Sequence, residues 1–270
     1  MDRTGLRPGG AAMRNVGLII RREMASYFFS PIAYVLLAAW TFMMGVFFSG
    51  SFLNYAAISL QIMRNPRAAA QLNLTPTSGI LEPVFSSVSI ILLFVVPLLT
   101  MRLFSEEKKE GTIELLLTYP IRDGQVLAAK FLSALFMYLI MMAITLLYPL
   151  ILAMFVEIEW GVVGSGYLGM ILLGSAFLSL GVLASTLTSN QIIAAMLAFM
   201  ILLVSFVLDF LAVSAGEIAG AVIRHLSIGN HLRNFIRGII DTRDIVYLLN
   251  VTVLCLFLSL RSLEFYKWRG

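Results

Sequence analysis

The sequence predicts an all-α integral membrane protein with six transmembrane helices. Of its 270 residues, 60% are hydrophobic and 13% are charged, whereas an ordinary soluble domain has about 45–50% apolar and about 25% charged residues. The apolar residues are clustered in runs of about 20, the length at which a helix spans the hydrocarbon core of a bilayer. Composition and clustering together exclude a single soluble core.

Six apolar runs are long enough to form the cores of transmembrane helices. They comprise residues 32–48, 83–101, 131–155, 162–187, 192–208 and 245–260. None of these six cores contains Asp, Glu, Lys, Arg or His. Carriers driven by protons or ions usually bury an ionisable residue at the coupling site, so this pattern disfavours a secondary transporter and a pore with charged rings.

The distribution of basic residues predicts that both termini are cytoplasmic. With the N-terminus inside, thirteen Lys and Arg residues lie on the cytoplasmic side and six on the outer side, together the 19 of the chain. Cytoplasmic loops carry such an excess. Four arginines between the last two spans weaken the bias and indicate that this outer segment has structure of its own. The net charge of +4 does not predict nucleic-acid binding, because the basic residues lie between apolar runs and form no stripe.

Residues 1–13 are polar and rich in Gly and Pro, and they are predicted to be a disordered lead-in or to precede the true start at Met13. Residues 14–270 are predicted to form a single transmembrane domain. The chain has one cysteine and two histidines, too few for a metal cage, so no metal site is predicted and these residues are interpreted as packed or surface side chains.

Residues 14–29 are predicted to form a basic amphipathic helix at the cytoplasmic membrane interface. Its apolar side carries Val16, Ile19, Ile20, Met24, Tyr27 and Phe28. Its other side includes Arg21 and Arg22, which would face anionic headgroups. Glu23 falls in the middle of the apolar side. We therefore expect its carboxylate to pair with a basic residue of the next cytoplasmic loop.

Residues 102–130 are predicted to form a cytoplasmic loop, and they contain five basic and five acidic residues in balance. The loop also contains the apolar run 113–117, with Glu114 inside it, which a purely solvated loop would not need. Apolar anchors supply affinity at a protein interface and charges set the register. The loop is therefore predicted to be a docking element for another protein.

Two outer segments and one span complete the pattern. Residues 49–82 are predicted to be an extended loop with a short helix. Residues 209–244 are predicted to contain an amphipathic helix that lies in the outer leaflet or re-enters the membrane, and its apolar side is formed by Leu232, Phe235, Ile236, Ile239 and Ile240. Span 162–187 is rich in Gly and Ser. These small residues indicate close helix packing, either within the chain or at a subunit interface.

Three stretches of the sequence are distinctive: RREMASYFFSPIAYV at residues 21–35, FSEEKKEGTIELLLTYPIRDGQVLAAKF at residues 104–131, and HLRNFIRGIIDTRDIVYLLNV at residues 231–251. Together they resemble type-2 ABC exporter permeases, and among them the gliding-motility-type, GldF-like permeases. The resemblance covers residues 13–270, and the loop string is its most specific part.

The resemblance implies roles for these segments. Residues 14–29 would be the connecting helix, with Arg21, Arg22 and Glu23. Residues 106–117 would be the coupling helix that seats in a cytoplasmic ABC ATPase subunit, and residues 216–241 would form outer re-entrant helices near a dimer axis. The coupling positions would be Glu106, Glu107, Gly111, Thr112, Glu114 and Leu115. The implied partners are two ATPases, a second permease copy and an auxiliary membrane-anchored extracytoplasmic protein, in a bacterial inner membrane.

The sequence contains no G-x-x-x-x-G-K-[ST] phosphate-binding loop and no nucleophile–base pair. We therefore expect a non-catalytic subunit without its own cofactor, with ATP and magnesium bound by the partner ATPase. Two other classes stay open: a membrane scaffold that transports nothing, and an intramembrane enzyme. The substrate, the choice between transport and force transfer, and the choice between homodimer and heterodimer are not readable from the sequence.

Overall fold

The computed structural model describes residues 8–64, 75–112, 122–214 and 227–269, and the regular structure within these ranges is helical. The α-helices in chain order are α1 (Pro8–Phe29), α2 (Pro31–Arg64), α3 (Glu82–Thr100), α4 (Ser105–Lys109), α5 (Asp123–Thr145), α6 (Leu147–Ala153), α7 (Trp160–Leu187), α8 (Gln191–Ser214), α9 (Leu232–Ile236) and α10 (Thr242–Arg269). A π-helix, Thr77–Leu81, leads into α3, and a 3-10 turn, Gly229–His231, leads into α9.

Six helical stretches in the described ranges are long and apolar enough to cross a membrane. They are Ala33–Arg64, Thr77–Lys109, Asp123–Ala153, Trp160–Leu187, Gln191–Leu208 and Thr242–Tyr266. Each of these stretches contains all or nearly all the residues of one predicted apolar core. The prediction of an all-α membrane protein with six transmembrane helices is therefore confirmed.

Helix α7 occupies the centre of the bundle, where it contacts α3, α5, α8, α9 and α10. In the most apolar part of α7, 72% of the residues are buried inside the protein, compared with 17% in the corresponding part of α2. A side chain at Gly174 would overlap the Tyr138 ring, and one at Gly181 would overlap Thr100. Gly174 and Gly181 therefore serve packing within the chain, the first of the two interpretations above.

Buried polar side chains tie neighbouring spans together. Trp40 Nε1 on α2 donates a hydrogen bond to the carbonyl of Met141 on α5, with a distance of 3.0 Å. The hydroxyl of Tyr138, which is also on α5, donates a hydrogen bond to the carbonyl of Met170 on α7, with a distance of 2.9 Å. In lipid a polar group must find its partner inside the protein, so these bonds hold α5 in register with both neighbours.

The prediction of a disordered lead-in over residues 1–13 is wrong from Pro8 onward, because α1 begins there and not at residue 14. Proline is tolerated in the first turn of a helix, where its missing N–H has no partner to lose. Ala11, Ala12 and Met13 then favour the helical conformation. Helix α1, the predicted connecting helix, thus begins six residues earlier than predicted.

The prediction of an extended loop over residues 49–82 is wrong for its first half, because α2 continues to Arg64. After Gly50 the sequence contains no Gly or Pro before Pro66. Its apolar residues continue to suit a helix, so nothing in the chain stops α2 at the predicted boundary. Helix α2 is consequently 34 residues long.

The amphipathic helix predicted between the last two spans is shorter than its apolar periodicity suggested. Helix α9 ends at Ile236, and Gly238 adopts a φ of 84°, a left-handed conformation that ends helices. Leu232, Phe235 and Ile236 are buried, whereas Ile239 and Ile240 beyond the glycine are more than half exposed. Residues 215–226, which carry the start of the predicted re-entrant segment, lie outside the described residues.

Candidate functional site

One end of the helix bundle carries a group of buried and half-buried charges, which we call the charged end. It comprises Glu23, Arg102, Glu106, Glu107, Lys108 and Lys130. Because the chain returns to the same end after every second span, α1, the turn after α3, α4, the start of α5 and the last turns of α7 and α10 all meet there. The charged end is therefore assembled from segments that are distant in sequence.

Lys130 is the centre of the charged end. Its side chain is only 3% exposed, and its ammonium group lies 3.0 Å from Glu23 Oε1 on α1 and 3.0 Å from Glu107 Oε1 on α4. It also donates a hydrogen bond to the carbonyl of Leu103, with a distance of 2.6 Å. All three ammonium donors are thus used, and two carboxylates surround one cation, which is what a buried charge requires.

Ser185 on the last turns of α7 fixes the start of α4. Its hydroxyl oxygen is fully buried and accepts hydrogen bonds from the backbone N–H groups of Phe104 and Ser105, at 3.0 and 3.2 Å. The first N–H groups of a helix have no partner within the helix. A side chain on a different span supplies that partner here, so α4 cannot shift without disturbing α7.

Helix α1 makes a second contact with the spans through Tyr27. Its hydroxyl donates a hydrogen bond to the carbonyl of Leu99 on α3, at 2.9 Å. Desolvation in this packed position, reinforced by the nearby Glu23 carboxylate, raises the pKa of the Tyr27 phenol well above its usual value. The phenol therefore stays protonated and remains a hydrogen-bond donor throughout the physiological pH range.

Two further ion pairs lie at the margin of the charged end. Arg102 binds Glu106 through two nitrogens, at 3.0 and 3.2 Å, one helical turn along the chain. Arg22 approaches Glu107 at 3.8 Å from a side chain that is 68% exposed. The first pair is half-buried and the second has an exposed arginine, and solvent-accessible pairs of this kind contribute less to stability than a buried one. The energetic weight of the charged end therefore rests on Lys130 and its two carboxylates.

The structure thus consists of six candidate spans and a charged helical turn at one end. A comparison of the sequence with known families identifies a family of membrane proteins. Residues 18–263 match the family described as ABC-2 family transporter protein. The chain belongs to the ABC-2 transporter family. Permeases of this family work in the bilayer with a cytoplasmic ATPase subunit and are not themselves catalytic. The protein is therefore a transmembrane permease subunit of an ABC transporter. The sequence matches none of the curated proteins.

The structure separates the predicted coupling positions of the permease into two groups. Glu107 faces inward and is 8% exposed, where it binds Lys130. Glu106 is half-buried beside Arg102, and Gly111 and Thr112 are exposed. Gly111 has a φ of 69°, so the chain turns sharply after α4. Glu114 and Leu115 lie outside the described residues, and their role stays a prediction.

The predicted connecting-helix positions, Arg21, Arg22 and Glu23, divide in the same way. Arg21 and Arg22 are exposed, whereas Glu23 points into the charged end. Lys130 belongs to the cytoplasmic loop predicted from the sequence, so the expected pairing of Glu23 with a basic residue of that loop is confirmed. The exposed Arg22 remains within 3.8 Å of Glu107.

A second polar cluster lies at the opposite end of the permease bundle and was not predicted from the sequence. His231 Nδ1 lies 2.6 Å from Asp244 Oδ1, and its ring stacks on Tyr247 with centroids 4.0 Å apart. Asn234 donates to the other oxygen of Asp244, at 2.8 Å. These contacts join the segment around α9 to α10. The interpretation of His231 as a packed residue holds, but the sequence carried no signal for its partner.

Proposed function

We propose that this permease couples ATP hydrolysis by a separate ABC ATPase to export, or to mechanical work on the outer side of the membrane. The observation that carries the proposal is the position of Lys130, which joins α1, α4 and α5 through one buried ammonium group. A docking helix that was only attached by a loop would transmit no force. Helix α4 is instead tied to three other elements by short polar contacts.

The path of the force follows from the exposed and buried faces of this region. Lys109, Glu110 and Thr112 are exposed and offer charges of both signs to a docking protein. Behind them, Glu107 contacts Lys130, and Ser185 holds the first amides of α4. A push on the exposed face would therefore reach α1, α5 and α7 together. Such a coupled unit moves by rigid-body tilting, a common form of switching between packed states.

The proposed assembly extends beyond the single chain. We place the charged end and both termini in the cytoplasm, because basic residues are in excess on that side. The family resemblance suggests that the membrane is a bacterial inner membrane. A second copy of the chain would complete the translocation path as a homodimer. The gliding-motility-type subgroup, which the sequence resembles, suggests in addition an auxiliary extracytoplasmic partner. The predicted coupling positions Glu114 and Leu115 would extend the docking surface.

A photo-crosslinking experiment tests the docking surface by capturing whichever polypeptide binds there. A benzoylphenylalanine at Thr112, in cells that express the full-length permease, should capture a polypeptide that mass spectrometry identifies as an ABC ATPase. Benzoylphenylalanine in place of Ile240, which is 55% exposed near the opposite end of the bundle, should not capture the ATPase. Capture from Ile240, or absence of an ABC ATPase from the Thr112 product, would contradict the proposal.

A reconstituted complex distinguishes an exporter from a scaffold. In proteoliposomes with the captured ATPase, the wild-type permease should raise ATP hydrolysis above that of the ATPase alone. The Ser185→Ala variant, which keeps Lys130 and its two carboxylates, should still bind the ATPase but lose much of this stimulation, because the first amides of α4 are no longer held by α7. A scaffold predicts binding with no stimulation by the wild-type permease, and that outcome would refute coupling.

A further inference from the structure

A cavity of about 600 Å³ opens at the charged end, between the last turns of α7 and α10. Its walls are mostly apolar and include Leu183, Leu187 and Leu258, with Phe265 at the edge. Two basic side chains, Lys108 from α4 and Arg261 from α10, lie among these walls. Neither the ion cluster of Lys130 nor the exposed face of α4 uses this cavity.

Lys108 is a buried cation without an anionic partner among the described residues. It is 9% exposed, its ammonium group donates to the carbonyl of Thr186, and it lies 4.6 Å from the centre of the Tyr266 ring. Lys130, in contrast, is neutralised by two carboxylates. A buried ammonium needs a counter-charge because desolvation is costly. One carbonyl and one ring leave Lys108 with unused capacity for an anion.

Arg261 provides a second cationic group at the same cavity. Its guanidinium lies 2.7 Å from Glu264, but the two side chains are 56% and 38% exposed. An ion pair this exposed is weak. A phosphate oxygen would compete well for Arg261, because guanidinium groups bind phosphate with two parallel hydrogen bonds.

The apolar part of the cavity fits a hydrocarbon chain. Leu187 is 59% exposed and Phe265 is 71% exposed. Both lie at the ends of candidate membrane spans, Trp160–Leu187 and Thr242–Tyr266, and the ends of a span are where a helix approaches the lipid headgroups. A molecule that combines an anion with a long apolar tail is therefore the occupant whose chemistry matches both parts of the cavity.

We propose that this cavity binds one anionic glycerophospholipid from the leaflet at the charged end. Its phosphate binds Lys108 and Arg261, and one acyl chain lies along Leu183, Leu187 and Leu258. The cavity volume suits a small molecule and is too small for a protein domain. The inference goes beyond the proposed function, because it does not require an ATPase at α4. It also makes the position of α4 dependent on the lipid through Lys108.

The test is native mass spectrometry of the full-length permease with dioleoyl phosphatidylglycerol or dioleoyl phosphatidylcholine, which share the same chains. We expect one phosphatidylglycerol per chain to survive activation and phosphatidylcholine to dissociate. Arg261→Ala should weaken phosphatidylglycerol binding by about tenfold. Arg243→Ala, an exposed arginine at the opposite end, is the matched control and should leave binding unchanged. Equal retention of the two lipids, or equal binding by the Arg261→Ala variant and wild type, would overturn the proposal.

Two further variants separate the headgroup from the chain and exclude other occupants. Leu187→Trp keeps both cations but fills the apolar part of the cavity, so it should also release the lipid. Glycerol 1-phosphate, which has the phosphate but no acyl chain, should bind weakly to every variant. Glu114 lies outside the described residues, and Glu114→Gln should not change binding. Tighter phosphatidylglycerol binding by that variant would show that Glu114 already neutralises Lys108. A crosslinker at Phe265 that captured an ABC ATPase in place of lipid would also overturn the proposal.

Discussion

The ammonium group of Lys130 lies 3.0 Å from Glu23 Oε1, although 107 positions separate the two residues in the chain. This contact attaches the amphipathic helix α1 to the first turns of α5. Glu107 completes the arrangement from α4. A single buried cation therefore holds α1, α4 and α5 together.

Removing that cation should strongly destabilise the protein. Lys130→Met leaves Glu23 without its cation and Glu107 with only the exposed Arg22 at 3.8 Å, and breaking a buried pair in this way costs about 3–5 kcal/mol. The midpoint of thermal unfolding in detergent, followed by intrinsic fluorescence, should fall clearly. Arg22→Met is the control, because the Arg22 side chain is 68% exposed and its loss should change the midpoint little. Similar midpoints for both variants would contradict the assigned role of Lys130.

Ser185→Ala should loosen α4 without unfolding the bundle. The substitution leaves the amides of Phe104 and Ser105 buried without an acceptor, at a cost of about 1–3 kcal/mol. Hydrogen exchange at these two amides should become faster, which mass spectrometry of peptic fragments can measure. Ser175→Ala is the matched control on the same helix, since Ser175 bonds only the carbonyl of Leu172 on its own helix. Unchanged protection in the Ser185 variant would refute the contact.

A methyl group at Gly174 should disrupt the centre of the bundle. Its Cβ would overlap the Tyr138 ring, and overpacking a close-packed site costs about 1–3 kcal/mol. The thermal midpoint of Gly174→Ala should therefore fall. Gly164→Ala on the same helix meets no atom within 4 Å and should be neutral or slightly stabilising, because alanine favours helix. The reverse order of the two midpoints would show that α7 is not packed as described.

Asp244 should control the local stability of the opposite end. Asp244→Ala removes the partner of His231 and Asn234 together, and hydrogen bonds to charged groups contribute about 1.5–3 kcal/mol each. Hydrogen exchange in residues 227–241 should accelerate, while protection at the charged end stays unchanged. Arg233→Ala, an exposed change in the same segment, should have little effect. Acceleration confined to the charged end would contradict this assignment.

Local sequence patterns were sufficient for the spans and for one tertiary contact. The six apolar runs predicted the six spans, since length and hydropathy are local properties. Glu23 could be assigned a basic partner because a carboxylate on the apolar side of a helix requires one. The loop that contains Lys130 was the nearest source of such a partner.

The remaining contacts depend on which helices become neighbours, and the local pattern does not contain that information. Ser185 has the same local sequence character as Ser175, yet only Ser185 meets α4. His231 and Asp244 become partners only after Gly238 reverses the chain. Helix boundaries failed for a related reason. Apolar periodicity continues through Ile239 and Ile240, but one left-handed glycine ends the helix before them.

The most direct test of the account is the side of the membrane on which α4 lies. Lys109→Cys, in a chain whose buried Cys255 is replaced by serine, should react with a membrane-impermeant maleimide in inside-out vesicles and stay unlabelled in intact cells. Ile240→Cys should show the opposite pattern. Labelling of Lys109→Cys in intact cells would place the charged end outside, where no cytoplasmic ATPase can reach it, and would contradict the proposed coupling.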